Sequence, residues 1–231
     1  LPLADLKGQR ILVSAGPTQE AIDPVRYISN RSSGKMGFAI AEAARNRGAE
    51  VILVSGPTGL TSPAGVRVVP ITTAKEMAEA MSTHFNWASV VIMAAAVADF
   101  LPKNPTSQKL KKGTAAVPPL ELERAPDILA MLSAKRTSQI LVGFAAETQH
   151  LVKHAEEKLA AKGLDLIVAN DVTQAGAGFG SEQNAAVVLS RTGIQRTFAL
   201  RPKTQLAHDI LSTIVEFAKH EPRKPTPASV R

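Results

Sequence analysis

The sequence predicts a doubly wound α/β domain: a mostly parallel sheet with a late antiparallel hairpin. Two observations carry this. Apolar runs alternate with amphipathic helical patterns along most of the chain. Several of the runs are continuously apolar, as strands covered on both faces must be. The pattern is that of a Rossmann-like fold, in which ligands bind beyond the carboxyl ends of the strands.

The elements follow in order. RILVS, residues 10 to 14, reads as a buried strand with the turn AGPT after it. GFAIAEAARNR, 37 to 47, has helical spacing through Phe38, Ile40, Ala41 and Ala44, and Gly48 stops it. EVILVSGPTG is a second strand and turn, and VRVVPI a short third. TTAKEMAEAMSTHF is a helix capped by Thr72 or Thr73. SVVIMAAAVADF is a strand running into a loop, ILAMLSAK a helix, and QILVGFAAE a strand. HLVKHAEEKLAAKG is an amphipathic helix ending at Gly163, and LDLIVANDV a strand. AAVVLSR and QRTFAL form a hairpin about Thr192-Gly193, and KTQLAHDILSTIVEFAKH is the last helix. Residues 1–220 read as one domain. The segment 103 to 127 is long, basic and turn-rich, and its part 103–124 is expected to be a flexible lid loop. The Pro-rich residues 221–231 are expected to be a disordered tail.

Composition narrows the function. The 231 residues carry a formal charge of +7, and part of it sits in the tail, where Lys219, Arg223, Lys224 and Arg231 face only Glu221. Aromatic residues are 4% and do not interleave with basic ones, which argues against a nucleic-acid platform. A small polyanionic ligand explains the positive balance equally well. With no cysteine there is no disulfide, thiolate metal site or cysteine nucleophile. This agrees with a reducing compartment, and a cytoplasmic location is expected. No apolar run approaches the ~18 residues of a membrane span. The start LPLADLKGQR lacks the pattern of a signal peptide and has no initiator methionine, as expected of a piece of a longer chain. The five histidines lack metal-ligand spacing.

The loops at the strand ends hold the candidate chemistry. No G-x-G-x-x-G follows the first strand and no acidic residue ends the second, so a dinucleotide oxidoreductase is a poor reading. SSGKM is not a Walker A loop, since no Ser or Thr follows the lysine. ISNRSSGKMG, 28 to 37, nevertheless brings Ser32, Ser33, Gly34 and Gly37 to a helix N-terminus, where free N–H groups favour phosphate. Either Ser33 merely caps that helix and the glycines merely allow the turn, or the loop binds an anion beside Arg26, Asn30, Arg31 and Lys35. Gly16 follows the first strand in the same region. Lys109, Leu110, Lys111 and Lys112 form either a solvated charge run or a loop that closes over phosphates. Asp99 is either a cap or a site residue. Lys158 and Lys162 lie four apart on one helix face, which is either solvated or part of a site. Asn170-Asp171, at the end of the sixth strand, is either a site element or only an Asx-turn.

Five segments together resemble a known family. AGPTQEAIDPVRYISNRSSGKMG, AAAVADF, KLKK, LVGFAAET and GLDLIVAND, in that order, are similar to phosphopantothenoylcysteine synthetase, the second half of a bacterial bifunctional coenzyme A biosynthesis flavoprotein. The resemblance covers roughly residues 5 to 217. It implies ligation of 4′-phosphopantothenate with L-cysteine in two steps. The carboxylate attacks the α-phosphorus of CTP, giving an acyl-cytidylate and pyrophosphate, and the amine of cysteine then displaces CMP.

The resemblance also implies residue roles. Asn30 matches the asparagine that turns the acyl-cytidylate into product, and Lys109 the lysine that forms it. Met93, Ala94, Ala95, Asp99, Ala125, Pro126, Asp127, Ile128, Phe144, Lys158 and Lys162 match nucleotide contacts, with Lys109 beside them. Arg26 and the Asn30 loop, with Gly16, Ser32, Ser33, Gly34 and Gly37, match the phosphate and substrate side, reaching across a homodimer interface. Mg²⁺ is expected on the triphosphate, with no protein metal site. The flavin belongs to the fused decarboxylase half, absent from this sequence. The runner-up readings are a reductase or a non-enzymatic nucleotide sensor.

Overall fold

The computed structural model describes residues 4–111, 119–147, 150–171, 176, 178 and 180–220. The expected disordered tail and residues 112–118 of the expected lid lie outside them. The sheet is built from β1 (Arg10–Ala15), β4 (Glu50–Ser55), β5 (Arg67–Pro70), β6 (Val90–Met93), β9 (Ile140–Glu147), β10 (Leu166–Asp171), β11 (Gln183–Ser190) and β12 (Gln195–Pro202). Their order across the sheet is β12-β11-β10-β9-β6-β1-β4-β5. Strands β5, β4, β1, β6, β9 and β10 pair in parallel, and β11 and β12 add the antiparallel hairpin.

Both faces of the sheet are covered, which is why its central strands read as unbroken apolar runs. Ile11, Val13 and Ala15 of β1 pack with α1 (Lys35–Asn46) and α5 (Lys203–His220). Leu12 faces the other layer, formed by α2 (Ala74–Phe85), α3 (Ile128–Lys135) and α4 (Leu151–Ala161). Thr73 caps α2 in a reciprocal capping box with Glu76.

Two small hairpins were not legible in the sequence. β2 (Gln19–Ala21) pairs with β3 (Tyr27–Ser29), and β7 (Phe100–Pro102) with β8 (Leu122–Arg124). The expected loop 103–127 therefore ends in strand β8 and the N-cap of α3 instead of running free throughout. Its first part is tied down as well: Lys103 N–H donates to Glu121 O at 3.0 Å, and Thr106 N–H to Ile22 O at 3.0 Å.

The functional end of the sheet lies where the chain changes direction. From β1 the chain moves to β4 on one side; from β5 it returns through α2 to β6, on the other side of β1. Such a reversal opens a crevice at the carboxyl ends of the two strands. The segments leaving them are joined across it. Pro17 and Ala96 form a parallel bridge, Ala96 N–H donates to Gly16 O at 2.9 Å, and Ala98 N–H to Thr18 Oγ1 at 3.0 Å.

Helix α1 sits close against β1 because Gly37 has no side chain. A Cβ there would stand 2.5 Å from Ala15 Cβ and 3.0 Å from Ser14 O. Alanine would gain about 1 kcal/mol of helix propensity, but Ala15 is buried in a central strand and cannot yield. Gly37→Ala is expected to lower stability by about 1–3 kcal/mol net. Urea unfolding of the variant checks this, and an unchanged midpoint contradicts it.

Candidate functional site

A cleft of about 900 Å³ opens at the β1/β6 reversal. One wall comes from the excursion after β1: Asn30, Arg31, Ser32 and Ser33, then Met36 in the first turn of α1. Met93, Ala94, Ala95 and the following residues to Asp99 form the floor as the chain leaves β6. The opposite wall combines Ala125, Pro126, Asp127 and Ile128 at the head of α3 with Phe144 on β9 and Lys158 and Lys162 from α4 and its C-cap.

The N-terminus of α1 faces this space without a cap. Gly34 holds the N-cap position in the left-handed region, φ 77°, and no side chain caps the first turn. Ser33 is therefore not the cap; Ser32 Oγ accepts the Gly34 N–H at 3.3 Å. The first N–H groups of a 12-residue helix are left available, with the positive end of its dipole behind them. That arrangement suits an anion.

Asn30 is tied across the seam, its Nδ2 donating to Val97 O at 2.8 Å. An amide nitrogen carries two hydrogens, so one remains for a ligand. Ala95 N–H donates to Ser14 Oγ at 3.2 Å, and Ala125 N–H to Asp99 O at 2.9 Å. These bonds fix both turns that bound the cleft.

The two α4 lysines belong to the cleft wall instead of a solvated face. Lys158 Nζ donates to Phe144 O at 2.9 Å. Lys162 pairs with Asp127, which also caps α3 by accepting the Ala130 N–H at 3.0 Å. Burial pushes the Asp127 carboxyl up, but Lys162, the Ala130 N–H and Lys158 together hold it below its ordinary value.

A further lysine escaped the sequence reading. Lys203, the first residue of α5, is buried and lines the far end of the cleft. Its Nζ donates to Ser181 O at 2.5 Å and to Gly178 O at 3.3 Å. Burial and the nearby Lys35 charge lower its pKa, against the pull of Glu182. A signal was present: a lysine opening a helix opposes the helix dipole and needs another reason to be there. Asn170 and Asn184 meet beside it, Asn184 Nδ2 donating to Asn170 Oδ1 at 3.0 Å.

Five residues expected at the site lie outside the cleft lining. Gly16 and Gly34 shape turns behind it, and Gly37 packs on β1. Arg26 and exposed Lys109 stand on the hairpin side. Arg26 forms a bidentate pair with Asp23, Nη2 to Oδ2 at 2.5 Å and Nε to Oδ2 at 3.0 Å. The Asp23 side chain is buried, and the Arg26 guanidinium holds its carboxyl well below the usual carboxylate range.

A family model described as the DNA/pantothenate metabolism flavoprotein C-terminal domain matches residues 6–217. The chain belongs to this family. It is 47% identical over 217 residues to the coenzyme A biosynthesis bifunctional protein CoaBC of Bacillus subtilis (strain 168), covering 94% of this chain and 53% of that protein. The chain thus spans about half the length of the curated relatives it matches. Among solved structures it is similar to the C-terminal domain of a CoaBC protein, with a TM-score of 0.81 and 42% identity over 94% of this chain and 100% of that one. A DNA/pantothenate metabolism flavoprotein from Streptococcus pneumoniae follows, with a TM-score of 0.78 and 27% identity over 91% of this chain and 100% of that one. The motifs that carried the resemblance all fall within the part matched by the flavoprotein C-terminal domain family.

Depression of the Asp23 pKa gives a pH dependence of definite sign. The pair contributes stability above the unfolded carboxyl pKa of about 3.9. That contribution is lost as pH falls through the lower folded value. A carboxyl ¹³C titration is expected to leave Asp23 ionised at about pH 3.9, where a free carboxyl is half protonated. A midpoint at or above that value contradicts the pairing.

Proposed function

We propose that this domain ligates 4′-phosphopantothenate with L-cysteine at the expense of CTP, through an acyl-cytidylate. The observation that carries the reading is the cleft itself. It gathers Asn30, the uncapped α1 N-terminus, the turns after β6 and before α3, Phe144, Lys158 and Lys162 around one space of about 900 Å³. A nucleotide and a second phosphorylated substrate fit such a volume.

In the first step a carboxylate oxygen of phosphopantothenate bonds to the α-phosphorus, and the bond to the β-phosphate bridge breaks, releasing pyrophosphate. Lys158 and Lys162, both on the cleft wall, neutralise nucleotide phosphates in this reading. Lys109 adds a positive charge as negative charge gathers on the leaving group, an effect of roughly 3 kcal/mol where water is excluded. In the second step the cysteine amine attacks the acyl carbon, CMP leaves, and the amine gives up its proton. The free Asn30 hydrogen holds the acyl oxygen for that attack. Backbone groups of Met93, Ala94 and Ala95 and of the turn at residues 125–128 read the small donor–acceptor edge of cytosine.

Magnesium fits as a passenger of the triphosphate. This cation keeps substrate phosphates and water as ligands. Asp99, exposed and lining the cleft, offers a carboxylate to its water shell.

Homodimerisation also has support. Among the described residues, Val25, Tyr27, Phe100, Leu110, Leu120 and Leu122 account for six of the seven exposed large hydrophobics, and all six stand on the two small hairpins or their connections. Exposed apolar surface gathered in this way marks an interaction face. A second copy seated there would bring Arg26 and Lys109 toward its neighbour's cleft. Fusion to a decarboxylase half follows the bifunctional relatives. Among the described residues no helix is long and apolar enough to cross a membrane.

Two variants separate the steps. Asn30→Asp is expected to release pyrophosphate while product formation falls by about 10²-fold or more; normal product yield removes Asn30 from its role. Lys109→Gln is expected to abolish the pyrophosphate step, and a wild-type pyrophosphate burst in that variant contradicts the assignment.

A further inference from the structure

The carboxylate of Asp23 does two separate jobs with its two oxygens. Oδ1 accepts the N–H groups of Val25 and Arg26, both at 2.8 Å, and so closes the turn between β2 and β3. That is a local Asx-type turn, which the hairpin makes for itself. Oδ2 is committed elsewhere. It takes both donors of the Arg26 fork and, at 3.1 Å, the N–H of Leu110, 87 residues away in the chain.

The same arginine completes the grip. Arg26 Nη2 donates to Leu110 O at 2.7 Å. Both backbone polar groups of Leu110 are thus held by one ion pair, as a neighbouring strand would hold them. Because the contact is to the peptide, it fixes the chain path whatever side chain stands at 110. The residue held is the one that follows Lys109. Close by, the Thr106 N–H bond to Ile22 O anchors the incoming arm of the loop on the same hairpin.

A lysine on a long loop is a poor catalyst unless its backbone is placed beforehand. The cost of ordering the loop would otherwise be met in the transition state. We propose that Asp23, acting through Arg26, is a positioning residue that presents Lys109 for the pyrophosphate-releasing step, its Oδ2 serving as the clamp on Leu110. This rests on the ligase reading for the role of Lys109; the clamp itself does not.

Asp23→Asn separates the two jobs. The amide oxygen keeps the Val25 and Arg26 N–H bonds of the turn. The amide nitrogen replaces Oδ2 and presents a donor to the Leu110 N–H and the Arg26 guanidinium. Two readouts are needed. First, trypsin cleavage at the Lys109–Leu110 bond is followed by mass spectrometry in wild type and variant, with the melting temperature measured beside it. Cleavage is expected to be at least about 10-fold faster in the variant while the fold is retained. Equal cleavage rates overturn the clamp. Second, pyrophosphate release with CTP, Mg²⁺ and 4′-phosphopantothenate is expected to lose about 10-fold in kcat with KM for CTP unchanged, as for a group that acts only in the transition state. A rise in KM alone, or no change, overturns the positioning role.

Arg26→Lys guards against a variant that fails to fold. It keeps the charge but loses the fork that spans Asp23 and Leu110 O, and it is expected to fall between wild type and Asp23→Asn in the cleavage assay. Cleavage no faster than wild type in this variant overturns the clamp as well. If the wild-type domain releases no pyrophosphate at all, the ligase reading fails and the positioning role falls with it, while the cleavage arm still decides the clamp.

Discussion

The site depends on one seam, the set of hydrogen bonds between the chain leaving β1 and the chain leaving β6. Ser14, Gly16, Thr18 and Asn30 on one side meet Ala95, Ala96, Val97 and Ala98 on the other. Between the end of the sheet and the two small hairpins that follow, the segments are paired by the bridge between Pro17 and Ala96. Without these bonds the crevice at the reversal would be lined by two loose loops. With them, the wall carrying Asn30 and the floor carrying Ala95 hold a fixed spacing, and the N-terminus of α1 is delivered to the same place.

The cleft is positive by construction. Lys158 and Lys203 each donate to backbone carbonyls, which orient the ammonium groups. Lys162 pairs with a carboxylate that is engaged twice, since Asp127 also caps α3. The dipole of α1 adds to the same field. On the proposed reading, this is how a chain with neither of the common phosphate-loop patterns addresses a polyanion. The start of α1 is reached after a long excursion instead of directly from the strand, and that excursion is where Asp23, Arg26 and Asn30 sit.

The sheet and helices were legible because burial on two faces leaves a plain record in the sequence. LVS, VILVS and VVIM could be little else than covered strands, and the caps at Thr73 and Gly163 mark real ends. The two small hairpins left no such record. QEA, YIS, FLP and LER are three residues each and mostly exposed, so no alternation can develop, and their stability comes from contacts distant in sequence. The same holds in the cleft. Asn30, Asp99, Phe144 and the α4 lysines sit in segments with a visible pattern, whereas Lys203 offers only its place at the head of a helix, against the dipole, and its burial comes from the fold. Asp23 reads as a turn residue before a proline; its tie to Leu110 spans most of a hundred residues and is invisible to any local pattern.

The account stands or falls on whether this domain activates a carboxylate with a nucleotide. The most direct measurement is pyrophosphate release with Mg²⁺ and CTP, with and without 4′-phosphopantothenate and cysteine, and with ATP in place of CTP. The account predicts release that requires phosphopantothenate, precedes the need for cysteine, and is faster with CTP than with ATP. Release that ignores phosphopantothenate, or none with either nucleotide, would contradict it.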